Sequence, residues 1–161
     1  MAIVGTILRK IYPPGEIFIQ SAKFDDDEMS VEVTCLVPSG SNYTLRPINY
    51  VTVENYVRCL SQASYLLAYR LLERGLVSID VSPEEFAQAA VNHELYYRKL
   101  PEITYHKKVS KDVLFVIRLT LKNIRKIKRI GDFVLFSFTI ERTVISGDGE
   151  MKFVYDRGAE A

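Results

Sequence analysis

Residues 53–74 hold the segment that most restricts what this chain can become. Thr52 reads as an N-cap, a helix runs from Val53 to Arg74, and Gly75 takes the C′ position. At 1.5 Å per residue this is a rod of roughly 33 Å. Val53, Tyr56, Val57, Leu60, Leu67 and Leu71 form one stripe along it. Cys59, Ala63, Leu66 and Ala68 carry apolar surface beyond the face of an ordinary amphipathic helix. A helix that is apolar most of the way round must be buried most of the way round. In a chain of 161 residues, a sheet wrapped about the rod achieves that.

The flanking sequence supplies the strands. Residues 16–24 are rich in β-formers, and the acidic run Asp25-Asp26-Asp27 reads as a turn. Residues 29–37 resume with Val31, Val33, Cys35 and Val37 on one face and Glu32 and Thr34 opposite, which makes a β-hairpin. Ser82-Pro83-Glu84-Glu85 is a capping box with proline at the first helical position, so a short helix covers residues 83 to about 93. After Pro101 the pattern turns to strand. Residues 113–121 and 133–144 are long β-rich runs joined around Gly131-Asp132. Ser146-Gly147-Asp148-Gly149 reads as a further turn, and residues 150–155 as a last strand. The expected class is α+β: a hotdog fold, with a curved antiparallel β-sheet wrapped around one long central helix.

Nearly half the residues are hydrophobic (48%) and a quarter charged (25%), enough for a core that needs no disulfide or metal. We expect one domain over residues 1–161, with a frayed tail from about 158. Twenty-one basic and 20 acidic residues leave a net charge of +1, so no global field draws the chain to nucleic acid or a membrane surface. Cys35 and Cys59 lack metal-site spacing and read as buried free thiols. The N-terminus lacks the pattern of a signal peptide, and the longest nearly apolar stretch, residues 60–72, is too short for a span. A cytoplasmic protein is the expectation.

Familiar catalytic motifs are absent, including G-x-S-x-G, the phosphate-binding P-loop, H-E-x-x-H and G-x-G-x-x-G. His93 and His106 have the wrong spacing for a metal pair, and the run Asp25–Glu28 lacks the alternating ligands of a calcium loop. No metal and no cofactor is therefore expected. Lys122, Arg125, Lys126, Lys128 and Arg129 read as a solvated hairpin end or as a patch for phosphates. More informative are the polar residues at the start and middle of the apolar rod: Tyr43, Asn49, Thr52, Glu54, Ser61 and Gln62. Buried polar groups are costly unless hydrogen-bonded, so each needs a capping role or a ligand.

These residues resemble a known family. Ile11-Tyr12-Pro13-Pro14-Gly15, Tyr43, Val53-Glu54, the quartet Cys59-Leu60-Ser61-Gln62 and the approach to Leu100-Pro101 are similar in order and spacing to the FcoT-type hotdog proteins. That family comprises long-chain acyl-CoA thioesterases and relatives that add glycine to 2-enoyl thioesters. The resemblance, over roughly residues 9–155, implies a site lined by Tyr12 and Tyr43. The family's two asparagine positions fall at Val51 or Thr52 and at Ser61, and its histidine before the helix at Asn49 or Tyr50. It implies an acyl-CoA or acyl-carrier-protein thioester as partner and a homodimer or higher homo-oligomer. In this reading Tyr43, Glu54, Tyr12 and Ser61 are the catalytic candidates. Asn49, Thr52, Gln62, Arg46 and Arg58 are candidates for substrate binding, with either arginine available for glycine's carboxylate. Hydrolysis ranks first, amine addition second, and a non-catalytic acyl-carrier binding or assembly protein third.

Overall fold

The structure, a computed structural model, describes residues 2–27, 29–40, 46–79, 81–92, 95–127, 133–141 and 144–154. Its chain order is α1 (Ala2–Ile11), a 3-10 turn (Pro14–Glu16), β1 (Ile19–Phe24), β2 (Ser30–Cys35), α2 (Val53–Glu73) and α3 (Pro83–Val91). Four more strands follow: β3 (Leu95–Tyr105), β4 (Phe115–Ile127), β5 (Phe133–Glu141) and β6 (Ile145–Val154). All six strands join one sheet in the order β1-β2-β4-β5-β6-β3, and every pairing is antiparallel. The fold is α+β with one long helix.

The alternation in the sequence sets which side of the sheet is inner. Val31, Val33 and Cys35 of β2 are wholly buried, as are Ile117 and Leu119 of β4. α2 lies against this face, touching β1, β2 and β4. Its reach extends to β6, because Ser64 Oγ donates to Met151 Sδ at 3.6 Å. The sheet does not bury the rod alone. α1 and α3 contact each other and both contact α2, covering flanks that the sheet leaves open. Cys59, Leu60, Ala63, Leu66 and Leu71 are each sealed from solvent as a result. Both cysteines are free and buried, as expected from the sequence.

The ends of α2 follow from local sequence. Asn55 Oδ1 accepts hydrogen bonds from the Thr52 amide and the Thr52 hydroxyl, each at 3.0 Å, which fixes the first turn. At the other end Gly75 adopts φ +63°, a left-handed conformation that glycine enters without steric cost. There the Gly75 amide donates to Leu72 O and the Leu76 amide to Leu71 O, the paired bonds of a Schellman motif.

α3 starts at a reciprocal cap: the Glu85 amide donates to Ser82 Oγ at 3.1 Å and the Ser82 amide to Glu85 Oε2 at 2.7 Å. Ser82→Ala is expected to cost about 1 kcal/mol and to lower Tm by roughly 2–4 °C in a domain of this size. Differential scanning calorimetry checks this; an unchanged Tm would mean the cap carries no net stability.

Three sequence expectations are revised. α1 escaped notice, although Ile7, Leu8 and Ile11 recur at helical spacing and the first two are buried. Residues 146–149 are strand, not turn: β6 runs through them and pairs with both β3 and β5. Gly147 permits this, since a Cβ there would stand 1.8 Å from the carbonyl oxygen of Glu102 on β3. Finally, β3 begins before Pro101, within a stretch expected to lead from a helix. Proline is tolerated there because β3 is an end strand and its pairing is irregular between Lys99 and Glu102.

Candidate functional site

Two segments far apart in sequence are stitched together at the N-terminal end of α2. The Val51 amide donates to Val109 O at 2.9 Å, the Lys111 amide to Asn49 O at 3.0 Å, and Tyr50 and Ser110 form an isolated antiparallel bridge. The second segment is tied in turn to the sheet, where the His106 amide donates to Val144 O and His106 Nε2 lies 2.7 Å from Ser146 Oγ. Between them opens a cavity of about 530 Å³.

Its walls divide by chemistry. Ile48, Val51 and Val53 with the rings of Tyr50, Tyr56 and Tyr105 make the apolar part. Thr52 and Glu54 contribute the first turn of α2, and His106, Lys107 and Lys108 bring polar and cationic groups. Lys108 Nζ lies 4.5 Å from the centre of the Tyr50 ring, a cation–π contact on the cavity wall. The hydrogen-bond ladder of α2 opens with the Tyr56 amide donating to Thr52 O at 3.0 Å. The amide of Val53 stands ahead of that ladder, at the positive end of the helix dipole. Burial first, and the neighbouring Glu54 carboxylate second, hold the Tyr105 phenol above its ordinary value. The phenol therefore stays protonated and able to donate at neutral pH.

The sequence-derived candidates fall into separate groups. Thr52 and Glu54 meet at the cavity. Asn49 is exposed just before it, and Arg46 is exposed further upstream. Arg58, Ser61 and Gln62 lie along another flank of α2. Arg58 pairs with Glu16 and sits 5.3 Å over the Phe18 ring. Ser61 Oγ donates to Val57 O within the helix at 2.9 Å. Gln62, wholly buried, accepts from the Phe18 amide at 2.9 Å and donates to Glu16 O at 2.7 Å. Tyr12 packs on Tyr65, with ring centres 6.3 Å apart. That contact is about 20 Å along the helix from Thr52. Tyr43 and His93 lie outside the described residues.

Tyr56, Tyr105, Lys107 and Lys108 line the cavity without a sequence signal marking them as site residues, whereas Tyr50, also on its wall, is one of the two positions to which the resemblance carries the family's histidine. Tyr56 was legible as an apolar stripe residue only, and no periodic signal connects residues 105–108 with residues 48–54. Of the basic cluster, Lys122 and Arg125 lie on β4 and pair with Asp148 and Glu150 of β6. Lys128 and Arg129 are outside the described residues. Among the described residues no cluster of three or more His, Cys, Asp or Glu side chains is placed to hold a metal ion, and no helix is long and apolar enough to cross a membrane.

Burial also raises the phenols of Tyr56 and Tyr65 above their ordinary value, which is near 10. The unfolded chain then loses these protons at lower pH than the folded protein, so stability falls as pH rises above about 10. Urea midpoints should be lower at about pH 11 than at about pH 9; an unchanged midpoint would contradict the burial of these hydroxyls.

No protein-family model and no curated protein matches the chain. Among solved structures it is similar to the 4-hydroxybenzoyl-CoA thioesterase of Pseudomonas sp. strain CBS-3, with 16% sequence identity and a TM-score of 0.44. That similarity covers 82% of this chain and 88% of the other.

Proposed function

We propose that this chain is a hotdog-fold acyl-thioester hydrolase of the FcoT type, with its reacting centre at the N-terminal end of α2. The observation that carries the reading is the cavity itself, where a helix N-terminus, a carboxylate, a protonated phenol and apolar walls converge. Thioester hydrolysis can use all four. The carbonyl oxygen gains negative charge as water adds, and the first-turn amide and helix dipole stabilise it. Glu54 takes a proton from the attacking water; as the tetrahedral intermediate collapses the C–S bond breaks, and the departing thiolate takes that proton from Glu54 and leaves as free thiol. Tyr105, whose phenol is protonated beside Glu54, donates its one O–H toward the reacting oxygen. Ile48, Val51 and Val53 receive the start of the acyl chain, and Lys107 and Lys108 face the phosphate of the phosphopantetheine arm common to CoA and carrier proteins.

The second cluster serves as scaffold in this account. Gln62 and Arg58 fasten residues 16–18 to α2 and so fix the pitch of the helix that presents Glu54, while Ser61 bonds back to Val57 O within the helix. Arg58 is engaged by Glu16 and Arg46 is exposed upstream, and neither is among the residues that line the cavity, which favours hydrolysis over glycine addition. β3 ends the sheet, and its outer edge offers the unpaired backbone groups through which two copies would join as a homodimer.

The test is release of free thiol from acyl-CoA substrates of increasing chain length, followed with a thiol-reactive dye. Thiol release that saturates with substrate is expected. Consumption of a 2-enoyl-CoA only when glycine is added, with no thiol released, would replace hydrolysis with amine addition. Binding of acyl-CoA without either reaction would leave a non-catalytic acyl binder.

A further inference from the structure

Lys108 is held differently from the other cations that lie over aromatic rings. Arg58 lies over Phe18 and Arg70 over Phe24, and each is also paired with a carboxylate, of Glu16 and Glu73. The Lys108 ammonium is met by the face of the Tyr50 ring, 4.5 Å from its centre. A ring face fixes an ammonium without neutralising it. The contact follows from register. Tyr50 stands opposite Ser110 in the isolated bridge, and the amides of Val51 and Lys111 brace that pair by donating to Val109 O and Asn49 O. Lys108, two residues before Ser110, is the diagonal neighbour of Tyr50 and within reach of its ring. Both side chains are exposed and both line the cavity. The cavity wall therefore carries a positive charge that is held in place, and that no salt bridge among the described residues cancels.

We propose that Tyr50 is a positioning residue, whose ring holds Lys108 ready for the phosphate of the phosphopantetheine arm and so makes that phosphate a determinant of substrate affinity. This rests on the acyl-thioester reading and deepens it. A free lysine side chain gives up much of its rotamer freedom when it grips an anion. Over the Tyr50 ring the side chain is already ordered, so less is lost on binding. The ammonium has three N–H donors, and contact with one ring face leaves others for the phosphate oxygens.

The experiment follows thiol release from two substrates that differ only in that phosphate, an acyl-phosphopantetheine and the matching acyl-pantetheine. Comparing the two within each variant cancels any effect of a substitution on the seating of the acyl chain. Wild type should show a KM about tenfold lower for the phosphorylated substrate, with the difference in KM and not in kcat. Tyr50→Leu should shrink that preference to about threefold, since an exposed cation–π contact is worth a few-fold. Tyr50 is 42% exposed, so its replacement should fold; Tyr50→Thr, a second ring-free variant, should give the same result. Tyr50→Phe keeps the ring and should keep the preference. Lys108→Gln should reduce it at least as far, and adding Tyr50→Leu to Lys108→Gln should change it no further. A full preference retained by Tyr50→Leu or by Lys108→Gln, or none in wild type, would overturn the assignment and leave the acyl-thioester reading standing. Failure of wild type to release thiol from either substrate would remove the assignment and the reading together.

Discussion

Glu54→Gln should lower kcat for thioester hydrolysis by roughly 10²–10⁴-fold, the usual contribution of a positioned general base. The amide keeps the shape of the side chain but cannot accept the proton of the attacking water. Glu54 is exposed on the first turn of α2, so its loss from the helix dipole costs only about 0.3–1 kcal/mol. Activity and stability therefore separate: the variant should retain a Tm within a few degrees of wild type and bind S-(2-oxoalkyl)-CoA, a ketone that cannot be hydrolysed. Steady-state kinetics beside a thermal melt check this. Activity within about threefold of wild type would move the base elsewhere.

Gln62→Leu should produce the largest loss of stability for a single side chain among those considered. Leucine fills much of the same volume but removes both hydrogen bonds that join α2 to residues 16–18. The Phe18 amide, beside a wholly buried ring, is left without its acceptor, and the carbonyl of Glu16 loses its donor. Unsatisfied buried groups cost about 1–3 kcal/mol each, so a loss of about 2–6 kcal/mol is expected, read as a reduced urea midpoint at constant m. Gln62 is at mid-helix, roughly 14 Å along α2 from Val53, and does not line the cavity, so a folded fraction of the variant should still release thiol. A loss below about 0.5 kcal/mol would show that water replaces both bonds.

Most of the scaffold was legible in the sequence because local chemistry dictates it. Apolar periodicity marked α2, Gly75 marked its end, and Ser82-Pro83-Glu84-Glu85 marked the start of α3. Alternation of Val31, Val33 and Cys35 identified the inner face of β2. The site was legible only in part. Thr52 and Glu54 stand out because a helix N-terminus announces itself through capping residues. Tyr105, Lys107 and Lys108 meet them through long-range bonds such as Val51 to Val109, and no periodicity within one segment encodes such a meeting. Gln62 shows the converse: a polar residue in an apolar helix points equally to a ligand or to a backbone partner. The structure supplies two backbone partners, at Phe18 and Glu16.

The account stands or falls on the first turn of α2 being where the thioester rests. Hydrogen–deuterium exchange of the intact protein, with and without saturating S-(2-oxoalkyl)-CoA, reads this amide by amide. Slowed exchange concentrated in residues 53–56 and 105–108 is the predicted result. Slowing confined to residues 12–18 and the distal half of α2, with the first turn unchanged, would contradict it.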